Sequence, residues 1–248
     1  MVEKVNSIKK IARCAGLVYL LIAIIAILAN SFVLESLIIP GDAATTANNI
    51  MANELLFRSA IASFMVLVIL DVVVAWALYI LLRPVNKNLA MLAAWFRVVF
   101  ATILGIALHN FLSVLQLLSG ADYLKVFETE QLEAQAMLFL NAFNYTWLIG
   151  LTIFGLHLFI LGYLIFQSSY IPKIIGILLV VSSLGYITDS FANFLLPNYA
   201  DYEALFLLIV AIPAIIGELS LTFWLLLKGV NIKHWERRVA QAQNADKW

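Results

Sequence analysis

From Ala136 to Gln167 the sequence is almost wholly apolar, yet His157 stands well inside the run. A bilayer-crossing helix needs about 20 mostly apolar residues, and this run exceeds that length. Hydrocarbon cannot solvate an imidazole, so the run calls for both a membrane-crossing helix and a protein interior to receive its polar face. At about 100° per residue, Thr146 and Gly150 share the face of His157, whereas Gly155 and Gly162 line another. The first face is expected to meet a polar interior. The glycine face is expected to pack closely against a neighbouring helix.

Five further apolar runs resemble this one in length. The chain is 64% hydrophobic and 12% charged, against about 45–50% and about 25% in soluble domains. Such a chain lacks the polar surface to stay dispersed in water, so the reading is an all-α integral membrane protein. A net charge of zero disfavours nucleic acid as a partner. The single cysteine, Cys14, excludes an internal disulfide and any four-thiolate cluster, and is expected to serve as a small packing residue.

The spacing predicts six spans, at about 11–34, 57–82, 89–118, 136–167, 174–195 and 204–227. The first follows Lys4, Lys9 and Lys10 but lacks a small-x-small cleavage site, so it reads as a retained span, not a signal peptide. Pro40-Gly41-Asp42 breaks the chain, and Asp42 is a suitable N-cap for a short interfacial helix up to about Leu56. Arg83-Pro84-Val85-Asn86-Lys87 makes a tight basic turn. Residues 120–135 are acidic, with Leu124, Phe127 and Leu132 spaced as the apolar face of a second interfacial helix. No repeat or low-complexity linker divides residues 1–248, so the expectation is a single transmembrane domain with a polar tail over 228–248.

Six spans put both ends on one side of the membrane. Lys4, Lys9, Lys10 and Arg13 at the start, Arg83, Lys87 and Lys173 in the two short turns, and Lys228, Lys233, Arg237, Arg238 and Lys247 in the tail share that side. The opposite side holds only Arg58 and Lys125, together with most of the acids. The excess of Lys and Arg in cytoplasmic loops then predicts that both termini are cytoplasmic, with short interfacial helices on the outer side.

Asp71, Arg97, Asp189 and Glu218 remain inside the spans, with His109 and His157. A charged side chain at a helix centre costs roughly 2.5–3.5 kcal/mol, so these groups are expected to face one another or water. Depth along the helices places Asp71, Arg97, His157 and Glu218 in one layer. His109, Asn141, Asn144, Tyr186 and Asp189 fall in a second, nearer the outer side. Asp71 and Arg97 carry opposite charges at similar depth on consecutive helices, which suits an ion pair, structural or functional. Glu218 has no second cation at its depth, which points to protonation, a hydrogen bond to His157 or Arg97, or a bound cation. His109, His157 and Asp189 are weak metal-ligand candidates, without the H-E-x-x-H spacing of a metal-binding helix.

Several segments together resemble a bacterial family of small multi-pass membrane proteins known as domain of unknown function 4386. They are Ile39-Pro40-Gly41-Asp42-Ala43-Ala44, Leu81-Leu82-Arg83-Pro84-Val85-Asn86, Phe154-Gly155-Leu156-His157-Leu158 with Leu161-Gly162-Tyr163, Asp189-Ser190-Phe191-Ala192, and Gly217-Glu218-Leu219. The resemblance implies a protein of the bacterial inner membrane and supplies no cofactor and no catalytic residue. The functional expectation is a membrane-embedded binding or transport role for a small solute or ion, with Glu218 and His157 exchanging protons. An intramembrane enzyme, metal-dependent or not, and a non-catalytic scaffold or accessory subunit are the alternatives. Membrane lipids are the expected surroundings; oligomeric state is left open.

Overall fold

The computed structural model describes residues 2–245; of the basic residues counted at the two ends, Lys247 and the side chain of Lys4 lie outside the described residues. The described residues are all-helical, and six helices are long and apolar enough to cross a membrane. α1 (Val2–Ile27) runs through a π-helical stretch, Leu28–Leu34, into the short α2 (Glu35–Leu37). Then come α3 (Ala43–Ala52), α4 (Glu54–Leu82), α5 (Lys87–Leu117) and α6 (Thr129–Ser168). α7 (Lys173–Leu195), α8 (Glu203–Phe223) with a π-helical end, Trp224–Lys228, and α9 (Ile232–Ala245) complete the chain.

The breaks follow local chemistry. Gly41 takes φ +79°, open to glycine at little cost, and Asp42 then caps α3. Its carboxylate accepts from the Thr45 backbone N–H at 2.9 Å and from the Thr45 hydroxyl at 2.7 Å. Both bonds favour the ionised form and hold the Asp42 carboxyl below its usual range, the backbone bond most. A carboxyl whose pKa falls on folding adds stability above about pH 3.8, lost as pH falls through its lower folded value. Amide exchange at Thr45 should therefore quicken severalfold in Asp42→Ala at neutral pH, and the gap from wild type should close in acid. Pro84 ends α4, and the Asn86 side chain starts α5 by accepting from Leu89 N–H at 3.0 Å.

Residues 120–135 do not form a separate amphipathic helix. Asp122–Val126 make a short 3-10 turn, and the chain from Thr129 is already α6, so the fourth long helix begins before residue 136. Glu130, Glu133 and Gln135 interrupt the apolar pattern but do not break a helix, since both residue types propagate helices well.

Two compact units organise the chain. One comprises residues up to 21, 70–100 and 151 onward; the other comprises 22–69 and 101–150. α4, α5 and α6 contribute residues to both. The second unit has an aromatic core in which Phe111 and Phe143 stack with centroids 3.9 Å apart and Phe57 meets Phe111 edge-on at 5.3 Å. Trp147 joins this core against Phe143 and Phe64, a packing role.

In the first unit, glycines set the helix spacing. A Cβ on Gly162 of α6 would lie 2.5 Å from the carbonyl oxygen of Gly176 on α7, and a Cβ on Gly176 would meet that of Gly162 at 2.5 Å. Gly155 meets Ile187 and the Ser183 carbonyl of α7, so the predicted glycine face is the α6–α7 contact. On α7, Gly185 lies against the carbonyl of Ile209. Pro213, four residues later in α8, has no N–H to give that oxygen. Gly16 of α1 packs onto the backbone of Leu226 in the π-helical end of α8, with no room for a Cβ. Cys14, expected in packing, is instead exposed on α1.

Candidate functional site

Arg97 of α5 is 1% exposed and Asp71 of α4 is 3% exposed. Their side chains form a buried ion pair. Arg97 Nε donates to Asp71 Oδ1 at 2.9 Å and Nη2 donates to the same oxygen at 2.6 Å. The remaining side of the guanidinium is also satisfied. Nη1 donates to the Tyr19 hydroxyl of α1 at 2.6 Å and lies 3.3 Å from His157 Nε2 of α6. The Tyr19 ring lies under the guanidinium carbon at 4.6 Å and the Phe154 ring at 5.4 Å, so aromatic faces replace part of the lost hydration.

The partners assign the proton on His157. Its Nδ1 stands 2.8 Å from the Ala93 backbone carbonyl, which can only accept. Nδ1 therefore carries the hydrogen, and Nε2 presents its lone pair to Arg97. A second proton on that ring would set two cations 3.3 Å apart. The knot thus contains one cation, one anion and a neutral histidine, drawn from four helices, with its charges balanced.

Glu218 has a different partner. The Tyr186 hydroxyl of α7 donates to Glu218 Oε1 at 3.1 Å. The Tyr186 ring packs edge-on against Phe154 at 5.5 Å, and Phe154 also packs against His157 at 5.7 Å. One aromatic ring thus lies between the Glu218–Tyr186 pair and the arginine knot. Of the four residues predicted for the inner layer, three touch directly and Glu218 stands beside them.

The second layer does not assemble as a cluster. Asp189 accepts from the Tyr199 hydroxyl at 2.6 Å in the turn after α7, and Tyr199 stacks on Phe206 at 5.4 Å. Burial, then the Asp189 carboxylate, push the Tyr199 phenol up to about 12. Tyr186 belongs with Glu218. His109, Asn141 and Asn144 are exposed on the other unit. Among the described residues no three His, Cys, Asp or Glu side chains stand together as a metal site would need.

Sequence reasoning missed Tyr19. Tyrosines near span ends read as interfacial anchors, yet this one stands well inside the first apolar run, where a phenol needs a partner.

Six membrane-length helices, four of which contribute to a buried ionic knot, define a multi-pass α-helical membrane protein. The chain belongs to the family described as domain of unknown function (DUF4386), which matches residues 14–229. That span includes Tyr19, Asp71, Arg97, His157, Tyr186 and Glu218. It is also similar to an uncharacterized protein of Archaeoglobus fulgidus, 35% identical over 170 residues, covering 68% of this chain and 83% of that protein. No solved structure matches.

Proposed function

We propose that the protein binds a proton or a small cation within the membrane and moves it, with Glu218 as the group that takes up the charge. The observation that carries this reading is the division of partners. Arg97 is committed to Asp71, whereas Glu218 forms no ion pair among the described residues and is held by a phenol. A carboxyl at membrane depth with a neutral partner exchanges charge at lower cost than one locked to arginine. The neutral tautomer of His157 argues against that residue as the proton carrier and leaves it as a positioning group for Arg97. Pro213 and the π-helical turn at Trp224 flank Glu218 along α8, and such interruptions give a helix places to flex.

The distribution of Lys and Arg supports both termini on the cytoplasmic side of the membrane. Because α4, α5 and α6 each serve both compact units, we read the chain as one transmembrane domain.

Purified protein in liposomes under an imposed pH or cation gradient tests the reading. Wild type should dissipate the gradient faster than empty vesicles, and Glu218→Gln should return the rate to the empty-vesicle level. Equal rates for wild type and Glu218→Gln would overturn it. The scaffold alternative rests on the charge-balanced Arg97 knot, which suffices to hold four helices in register. It gains if no gradient yields flux above empty vesicles.

A further inference from the structure

We propose that α4, α5 and α9 together form a binding site for one anionic phospholipid, separate from the Glu218 region. Two adjoining hollows carry the proposal. At the α4–α5 turn a hollow of about 890 Å³ is lined by Arg83 and Lys87, by Asn86, Asn88 and Gln243, and by the α9 side chains Trp235 and Val239. Among the described residues none that lines it is acidic. Beside it a groove of about 400 Å³ runs along the α4–α5 surface between Val72, Trp76 and Tyr79 on one helix and Met91, Trp95 and Val98 on the other. Tyr79 borders both.

The spacing is that of an amphiphile. Val72, Trp76, Tyr79 and Arg83 recur at four, three and four residues, one stripe that runs down α4 into the turn after it. Lys87, Met91, Trp95 and Val98 make the matching stripe of α5. From Val72 to Arg83 the stripe is about 16 Å long at 1.5 Å per residue. That is about the depth of one leaflet of a ~30 Å hydrocarbon core. An acyl chain along the groove would therefore bring its phosphate to Arg83 and Lys87. Trp76 and Trp95 are 55% and 61% exposed, so the described residues leave the walls of the groove largely uncovered.

The headgroup end is held in shape by the tail helix. The Trp235 indole donates to the Leu81 carbonyl at 3.2 Å, and the Tyr170 hydroxyl donates to the same oxygen at 2.7 Å. Arg238 donates to the Gln167 carbonyl at 2.6 Å. These bonds cap carbonyls at the ends of α4 and α6 and fix α9 as a wall. The charge of the hollow selects an anionic headgroup over a zwitterionic one.

The test is native mass spectrometry of the full chain in detergent, titrated with phosphatidylglycerol or with phosphatidylcholine of the same acyl chains. One phosphatidylglycerol should bind in preference. Arg83→Gln and Lys87→Gln should each weaken it about fivefold, the ~1 kcal/mol a basic residue contributes near an anionic membrane surface. Ala94→Phe, which fills the apolar groove, should weaken both lipids while the preference for phosphatidylglycerol persists. Equal binding of the two lipids, or an unchanged preference in the double variant Arg83→Gln/Lys87→Gln, would overturn the proposal. Displacement of phosphatidylglycerol by equimolar inorganic phosphate would also overturn it, identifying a site for free anions.

Discussion

Arg97→Met will cost the folded protein about 3–5 kcal/mol, the penalty for removing one partner of a buried ion pair. The loss exceeds that of a single contact because Arg97 serves three acceptors at once. Without it, Asp71 is an uncompensated charge, the Tyr19 hydroxyl loses its donor, and His157 Nε2 faces empty space. Asp71→Leu alone should be comparably damaging, since it leaves the guanidinium buried and unpaired. The double variant Asp71→Leu/Arg97→Met should recover the share owed to the unpaired charge, because an apolar pair of similar volume carries no charge-desolvation penalty. It should not recover the share owed to Tyr19 and His157, which still lack their donor. Reversible unfolding in mixed micelles, followed by far-ultraviolet circular dichroism, measures all three. An Arg97→Met protein within about 0.5 kcal/mol of wild type, the range of ordinary surface changes, would mean that the knot contributes nothing to the fold.

Gly162→Ala and Gly176→Ala should each cost about 1–3 kcal/mol by overpacking. The obstacle to each new methyl is backbone, the carbonyl oxygen of the opposing glycine, and a backbone atom cannot swing aside as a side-chain tip can. For Gly176 the backbone nitrogen of Phe166 is a further obstacle at 2.8 Å. The helices must therefore separate along the whole α6–α7 contact. Once separated they accept the second methyl with little more strain, so the double variant should cost less than the sum of the singles. Gly105→Ala is the control. A Cβ there meets nothing within 4 Å, and alanine favours helix by about 1 kcal/mol over glycine. The same unfolding assay should show it neutral or stabilising. Gly162→Ala and Gly105→Ala with equal effects would remove the close-packing account of the α6–α7 contact.

Much of the helix layout was legible before any coordinates. The thickness of hydrocarbon sets a minimum length for each apolar run, and Pro84, Pro172 and the Pro40-Gly41-Asp42 break punctuate them, so four of the six long helices begin and end within a few residues of the expected bounds. α1 and α6 start well before the expected positions, because hydropathy marks where a helix enters lipid while hydrogen bonding carries the helix past that point into water. The Asp71–Arg97 pair was legible too, from opposite charges at matching depth.

Partners across the bundle were not legible in the same way. Period and depth say which residues share a face and a level; they do not say how far each helix is rotated about its own axis. That rotation follows from packing against neighbours. It turns Tyr19 into the knot and joins Tyr186 to Glu218, and it leaves His109, Asn141 and Asn144 exposed although their depth grouped them with Asp189. Hydropathy and charge alone were enough for an all-helical membrane protein with ionisable groups that need company. Tertiary structure decided which company each one keeps, because contact between helices depends on azimuth and approach distance, and glycine contacts such as Gly162–Gly176 set those only once the chain has folded.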